Sequence, residues 1–443
     1  MTDAHLSRPE PARRGTAQPG QAQPGPAGRP VHFDHPVHVD HPVCLDHVVY
    51  LDHNATTPID PRVAEAMLPY LTDFFGNPSS SHSYGAEPRR ALAEARAQVA
   101  ALIGARPAEV VFTSSGSEAD LLALRGVVLA SGRTRPHVIT QVTEHPAVLE
   151  TARALERLHG ARVTVLPVDG DGLVDPAAVA AALTEDTVLV SVMAANNETG
   201  ALQPLPDLSA LAHAHGALFH CDAAQAAGKI PLDVRTSGVD LLTVVGHKMY
   251  APKATAALYV REGVPLEPVV YGGGQERGLR AGTENVALAV ALGTAARLAA
   301  EDLADGRARR IAVLRDGLHR RLAEGLPGRV HLNGPAEDRL PNTLNVSVDG
   351  ALGHELLAAC PEIAASTGSA CHSGTHEPSP VLTAMGLPAE RALGALRLSL
   401  GRWTGEKDIE TAATALIRAA SPSPSRNWPR PTPTKPTTTP ASG

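Results

Sequence analysis

Leu241-Leu242-Thr243-Val244-Val245-Gly246-His247-Lys248 is an apolar run around one threonine, ending in a His-Lys pair. Such a run reads as a buried strand, and its end is where α/β folds place their ligands. A lysine amine there attacks carbonyl carbons to form a Schiff base, best where burial lowers its pKa. Lysines after strands are also commonly solvated surface charges, so Lys248 is read together with a second strand end upstream. That segment is Ala217-Leu218-Phe219-His220-Cys221-Asp222, with Gln225 three residues on. Pyridoxal phosphate needs a lysine to hold its aldehyde and a carboxylate to keep its ring nitrogen protonated, because the protonated ring is the electron sink. Lys248 and Asp222 meet that requirement.

Working outward, the preceding chain alternates strand and helix. Strands are expected at Glu109 to Thr113, His137 to Gln141, Ala161 to Leu166 and Thr187 to Met193. Helices are expected through Ala130, at Pro146 to Leu158, Pro176 to Leu183 and Pro206 to His215. This alternation implies a parallel sheet covered on both faces. Ser114-Ser115-Gly116-Ser117-Glu118 opens the first of these helices, with Ser115 and Glu118 at capping-box spacing. Free N–H groups at such a start attract phosphate, and a plain capped helix explains the same residues. Thr143-Glu144-His145 and Asn196-Asn197-Glu198-Thr199-Gly200 follow two of the strands. Asn and His are common turn formers there, while an imidazole stacks on a flat cofactor and an amide binds its phenolic oxygen or a substrate carboxylate.

The entry to the folded body is Asp52-His53-Asn54-Ala55-Thr56-Thr57-Pro58, with an amphipathic helix from about Pro61 to Leu71 and another from Arg89 to Gly104. Tyr271 to Asn285 is a Gly-rich loop with two arginines, too polar to bury without partners, and so solvated or engaged with an anion or a second subunit. Glu301 to Leu326 reads as one long amphipathic helix. A smaller α+β unit follows, with strands near Val330, at Thr343 to Val348 and at Ala395 to Leu400, and a helix near Leu352 to Ala359. In the last strand Leu396, Leu398 and Leu400 share one face, and Arg397 and Ser399 the other. Arg397 is a structural ion-pair residue or a bidentate clamp for a carboxylate. Ser366-Thr367-Gly368-Ser369-Ala370-Cys371-His372-Ser373-Gly374 presents a cysteine among small residues, whereas Cys221 and Cys360 read as core residues.

At 443 residues, 43% hydrophobic and 19% charged, the chain can bury a large core and divide into two domains. A formal charge of -7 and no Lys/Arg-rich run argue against an obligatory nucleic-acid partner. Four cysteines without a C-x-x-C pair suggest neither a zinc site nor a disulfide framework, so a reducing, cytoplasmic location is expected. No apolar run approaches the ~18 residues of a membrane span, and the N-terminus lacks the apolar core of a secretory signal. Residues 1–30 and 421–443 have the composition of disordered tails. Between them and the body, a six-residue repeat, Val31-His32-Phe33-Asp34-His35-Pro36 and its successors through Asn54, admits a metal-binding arm. Its recurring prolines favour a duplicated copy of one real strand, Val48 to Asp52.

Taken in order, Leu51 to Pro58, Thr143-Glu144-His145, Asn196 to Gly200, Asp222-Ala223-Ala224-Gln225, Gly246-His247-Lys248, Gly272 to Asn285 and Gly368-Ser369-Ala370-Cys371 carry a resemblance. From about Val48 to Ala420 the chain resembles the cysteine desulfurases, fold-type I pyridoxal-phosphate enzymes of the class V aminotransferase group, in the branch with a long catalytic-cysteine loop. The resemblance implies an α/β fold, with a large domain of mostly parallel sheet covered by helices and a smaller α+β C-terminal domain. It divides the chain into a tail (1–47), a segment joining the small domain (48–60), a large cofactor-binding domain (61–300), a small domain with the cysteine loop (301–420) and a second tail (421–443).

By position, the resemblance implies that Lys248 holds the pyridoxal phosphate, Asp222 pairs its ring nitrogen, Gln225 binds its phenolic oxygen and His145 stacks on its ring. Gly116, Ser117 and His247 would cradle the phosphate, with Thr283 reaching in from the partner subunit of a homodimer. Asn197 and Arg397 would hold the carboxylate of L-cysteine, and Cys371 would accept sulfur as a persulfide for an acceptor protein, a scaffold or thiolation enzyme. No metal, membrane or direct nucleic-acid role is implied. Three residues depart from the usual pattern: Val245 where a serine is usual, Ala254 where a glycine is usual, and His372 where a threonine is familiar. Another class V enzyme is the alternative, a selenocysteine lyase or a cysteine-independent β-lyase or transaminase that needs no Cys371. A non-catalytic sulfur or metal carrier would not need Lys248, Asp222 and Arg397.

Overall fold

The computed structural model describes residues 48–368, 371–372 and 375–421; the expectations for the His/Asp repeat and the two tails lie outside the described residues, save Val48 to Asn54 and Ser421. β1 (Val49–Tyr50) is the real strand expected at the end of the repeat, and it is followed by β2 (Val110–Thr113), β3 (His137–Gln141), β4 (Arg162–Leu166), β5 (Thr187–Ser191), β6 (Leu218–Asp222), β7 (Leu241–Val245) and β8 (Ala256–Val260). β2 to β8 form one sheet in the order β2-β8-β7-β6-β5-β3-β4. Neighbours from β7 through β4 run parallel, while β8 is antiparallel to both β7 and β2. The sheet is therefore mostly parallel. β8 was not among the expected strands; it returns directly from β7 through a turn, without a crossover helix, which reverses its direction.

Alternation along β7 shows how the sheet is buried. Leu242 and Val244 enter a core with Val99, Leu208 and Leu292, from helices Ser83–Leu102, Leu205–Ala214 and Val286–Ala304. Leu241 enters the opposite core with Leu122, Val127 and Leu155, from helices Gly116–Ala130 and Pro146–His159. Successive side chains of a strand point to opposite faces, so two helix layers cover the sheet. Cys221 and Cys360 are fully buried, as core residues should be.

After the sheet come β9 (Val330–Leu332), β10 (Thr343–Val348), β11 (Ile363–Ala364), β12 (Cys371–His372), β13 (Thr375–His376) and β14 (Ala395–Ser399). β14-β10-β9 form an antiparallel sheet, β1 pairs in parallel with β11, and β12 pairs with β13. Leu396, Leu398 and Leu400 pack with Leu318, Leu322, Ile409 and Leu416 in a separate core that also takes in Leu51. Asp52 bridges Ser399, so the N-terminal segment is laid along β14.

Three helix expectations need correction. The helix read as Glu301 to Leu326 is two, Val286–Ala304 and Arg307–Gly325, broken at Gly306 with φ 70°. That left-handed conformation favours glycine and ends a right-handed helix. The helix read as Pro61 to Leu71 divides at Pro69, which has no N–H to continue the ladder. The one expected from Arg89 begins at Ser83 and carries Pro88 inside it, close enough to the start that few bonds are lost. Among the described residues no helix is long and apolar enough to cross a membrane.

Candidate active site

Chain ends of the parallel strands converge on a cleft of about 510 Å³. β7 delivers Lys248 on a short 3₁₀ turn, Gly246–Lys248, and the amine donates to the carbonyl oxygens of Asn54 at 2.5 Å and Ala55 at 2.8 Å. Burial, with Arg397 adding to it, lowers the Lys248 pKa to about 8 against the pull of Asp222 and Asp52. A useful fraction of the amine is therefore uncharged near neutrality.

β6 ends in Asp222, whose Oδ1 accepts from the Ala224 N–H at 2.8 Å. Glu144 and Asp120 are buried with it, a cluster that the sequence reading did not foresee. Burial and then repulsion from Asp222 raise both neighbours, Asp120 well above the carboxylate range and Glu144 to about 8. One oxygen of each, Asp120 Oδ1 and Glu144 Oε2, lacks a hydrogen-bond partner. Asp222 is raised by burial too, but the Ala224 N–H, His145 and Lys248 favour its charge. Three close carboxyls cannot all ionise, and these contacts favour the charge on Asp222, which lines the cleft together with Asp120. Behind them, full burial holds His220 neutral with its pKa down to about 3, so its 3.6 Å approach to Asp120 is not an ion pair.

His145 caps helix Pro146–His159, its Nδ1 accepting from Ala147 N–H at 3.1 Å. That bond puts the proton of the neutral ring on Nε2. Gln225 Nε2 donates to the Asn54 carbonyl at 2.9 Å. Asn54 proves to be a junction: its Nδ2 donates to Thr343 Oγ1 at 2.8 Å and the Asn197 carbonyl at 3.1 Å, and its backbone N–H donates to Ser399 Oγ at 2.9 Å. It thereby ties the large sheet to β10 and β14.

At the helix start Ser115 Oγ accepts from Glu118 N–H at 3.1 Å, half of the expected capping box. The other half differs, because the Glu118 carboxylate takes the N–H of Ser114 at 3.0 Å and pairs with Arg280. Gly116, Ser117 and His247 line the cleft, as do Lys253 and Ala254. Ala254 has φ 64°, a left-handed conformation in which a glycine would be unstrained. Thr283 does not line this cleft; it lines an adjoining hollow of about 340 Å³ that shares Ala254 and Thr255 with it.

Asn197 and Arg397 stand together in the cleft. Arg397 pairs with Asp52 at 2.8 Å and reaches the Asn197 carbonyl at 3.4 Å, while its buried Nε has no partner. It is thus an ion-pair residue with donor capacity left over. Beside them, the Glu198 carboxyl accepts from Ser379 Oγ at 2.5 Å, and burial raises its pKa to about 7. A Cβ on Gly368 would lie 2.4 Å from Glu198 Oε2, so the chain passes tightly over this carboxyl on its way to β12. The sulfur of Cys371 and the ring of His372 lie outside the described residues.

Together these residues suit a flat, aldehyde-bearing pyridinium with a phosphate: an amine, one ionised carboxylate, a capping imidazole, and N–H groups at a helix start. Of the residues singled out in the sequence, the cleft gathers Lys248, Asp222, Gln225, His145, Gly116, Ser117, His247, Asn197 and Arg397. Asn54 stands inside a motif of small and polar residues, which carries no hint of its seven side-chain and backbone partners, Ser399, Asn197, Thr343, Asn342, Gln225, Lys229 and Lys248.

The aminotransferase class V family model matches residues 49–411. A cysteine desulfurase of Trichormus azollae is 47% identical over 377 residues, 83% of this chain and 93% of the relative. A solved structure described as a NifS-like protein superposes with a TM-score of 0.78 at 36% identity, covering 84% of this chain and 98% of its own. SspA in complex with cysteine superposes at 0.70 and 34% identity, over 80% of this chain and 99% of its own.

Proposed function

The chain belongs to the class V aminotransferase family, in which its activity is that of a cysteine desulfurase, and we propose from this the part each residue of the cleft takes. The overall reaction converts L-cysteine to L-alanine and leaves sulfur on the protein. Bound in the cleft, pyridoxal phosphate supplies an aldehyde for the substrate amine and a ring that draws electrons from the α-carbon. Lys248 holds that aldehyde and, once displaced, is the amine that carries the α-proton, a task suited to its pKa of about 8. Asp222 keeps the ring nitrogen protonated, with the raised carboxyls of Asp120 and Glu144 beside it. Gln225 binds the phenolic oxygen and His145 covers the ring.

Gly116, Ser117 and His247 take the phosphate; Thr283 joins them from the partner subunit of a homodimer. Leu71, Phe75 and Tyr84 support a dimer, since they are 59%, 73% and 65% exposed and offer an apolar face. Asn197 and Arg397 take the substrate carboxylate, using guanidinium donors that Asp52 leaves free. The thiolate of Cys371 then attacks the substrate sulfur. The carbon–sulfur bond breaks with its electron pair on the β-carbon, which takes a proton to give alanine, and Cys371 keeps the sulfur as a persulfide for an acceptor protein. The acceptor belongs to iron–sulfur cluster assembly or another thiolation pathway, in the reducing cytoplasm that keeps Cys371 a thiol.

The observation that carries this reading is the meeting of Lys248, Asp222 and Arg397 in one cleft. Its test is Cys371→Ser, which is expected to bind the cofactor and cysteine but to release alanine at a negligible rate, since a hydroxyl is far less ionised and less nucleophilic toward sulfur. Wild-type alanine production by that variant would replace this reading with a cysteine-independent lyase.

A further inference from the structure

Lys229 is a further amine beside the cleft, and the reaction above does not use it. It follows Gln225 by one turn, next to Gly228 with φ 73°, where a Cβ would meet Ala299 at 2.9 Å and Met249 at 3.1 Å. The backbone there is pinned. Its Nζ donates to Gln225 Oε1 at 2.6 Å and to Asn54 Oδ1 at 3.2 Å. Both acceptors belong to side-chain amides, whose two ends are alike in shape and opposite in hydrogen bonding. The N–H groups of Lys229 therefore favour the orientation in which each amide turns its oxygen toward the lysine.

Gln225, its oxygen engaged by Lys229, gives its Nε2 to the Asn54 carbonyl, the same carbonyl that receives the Lys248 amine. Asn342 Nδ2 joins Lys229 on Asn54 Oδ1 at 3.0 Å, which leaves Asn54 Nδ2 for Thr343 and Asn197. Turning the Gln225 amide over would set its oxygen against the Asn54 carbonyl and take from Lys229 the shorter of its two acceptors, so the amide keeps its N–H groups on the side away from Lys229.

Desolvation, then Lys248 and Arg397, pushes the Lys229 pKa well below the lysine range. The other titratable groups that feel it are His53 and His247, both held neutral by burial. The lysine nitrogen carries N–H donors in either charge state, so both of its bonds are available as pH changes.

We propose that Lys229 is a positioning residue for the desulfurase reaction, fixing the Gln225 amide with its N–H toward the cofactor's phenolic oxygen and, through Asn54, the carbonyl that receives Lys248. The inference rests on the reading that this cleft holds pyridoxal phosphate.

The test is a titration of cofactor-free protein with pyridoxal phosphate, together with the pH dependence of the loaded protein's absorbance. Lys229→Met is expected to bind about tenfold more weakly, the equivalent of one hydrogen bond of the stronger kind. The pH midpoint of the absorbance change should move upward, because a donor that favours the ionised phenolic oxygen is lost. Gln225→Met should show a similar loss, and adding Lys229→Met to it should change the affinity by less than about twofold, since one residue acts through the other. Lys229→Gln, which keeps N–H donors, should recover most of the affinity.

Wild-type affinity and midpoint in Lys229→Met would overturn the proposal, as would losses that multiply in the double variant. Failure of both Lys229 variants to fold would make the lysine a structural tie and overturn it equally. A wild-type protein that takes up no pyridoxal phosphate overturns the cofactor reading as well, whereas normal uptake with an indifferent Lys229→Met overturns this inference alone.

Discussion

Gly116→Ala tests the packing under the phosphate end of the cleft. A Cβ at residue 116 would lie 2.6 Å from Val245 Cγ2. Carbon atoms prefer about 3.5–4.0 Å, so the overlap is about 1 Å. Relief is hard to find: Val245 is 5% exposed at the end of β7, and its β-branched side chain has few rotamers to choose from. Forcing a methyl into such a site costs about 1–3 kcal/mol. Alanine in a helix gains at most about 0.5–1 kcal/mol over glycine, and less in the first turn where residue 116 stands. The net expectation is a loss of about 1–2 kcal/mol, read as a lower urea midpoint with an unchanged slope. Val245→Ala removes the offending methyls, and in that background Gly116→Ala should turn neutral or stabilising by several tenths of a kcal/mol. The pair is thus coupled by about 1–3 kcal/mol. Pyridoxal phosphate affinity should follow the same pattern, because the displaced helix start carries the N–H groups offered to the phosphate; binding of pyridoxal, which has none, should respond less. Equal losses in both backgrounds would show that Val245 does not decide what residue 116 can be.

Lys248, with a pKa of about 8, should capture the cofactor's aldehyde faster as pH rises through that value, since the free amine is the reacting form; stopped-flow absorbance on cofactor-free protein measures this, and a flat profile from about pH 7 to 9 would contradict it. Glu198 is a carboxyl whose pKa in the folded protein, about 7, exceeds its ordinary 4.5, chiefly through burial. The folded state then binds the proton more tightly than the unfolded state, so stability is lost as pH rises from about 4.5 to about 7. Glu198→Gln, which carries no charge to bury, should flatten that part of the stability curve in thermal melts, and identical slopes in the two proteins would mean that Glu198 is already ionised.

Much of this protein is set by local pattern. Strands β3 and β7 have the ends expected from their apolar runs, and helix Pro146–His159 extends one residue beyond its expected end. Period-two and period-3.6 burial, proline at helix starts and small residues at turns act over a few residues and are visible without a fold. Strand-end placement of Lys248, Asp222, His145 and Asn197 follows from the same alternation, because parallel strands present their C-terminal ends on one side. The break at Gly306 and the antiparallel β8 were missed because helical periodicity runs on across a single glycine, and because a strand's direction depends on its neighbours rather than on its own residues.

The polar junction was beyond sequence reading for a different reason. Asn54 meets Thr343 across 289 positions, and Arg397 meets Asp52 across 345. Lys229 is one turn from Gln225, yet its role exists only because Asn54 is carried to the same point. Asp120 and Glu144 come from a helix start and a loop after different strands, and their neutrality is a consequence of burial beside Asp222. Residue types and local periods therefore determined the elements, the cleft's edge and the chemistry of Lys248 and Asp222. Sheet order and the packing of β10 and β14 against the N-terminal segment decided which polar groups share a dry site, because hydrogen bonding and desolvation depend on distance in space and not on spacing along the chain.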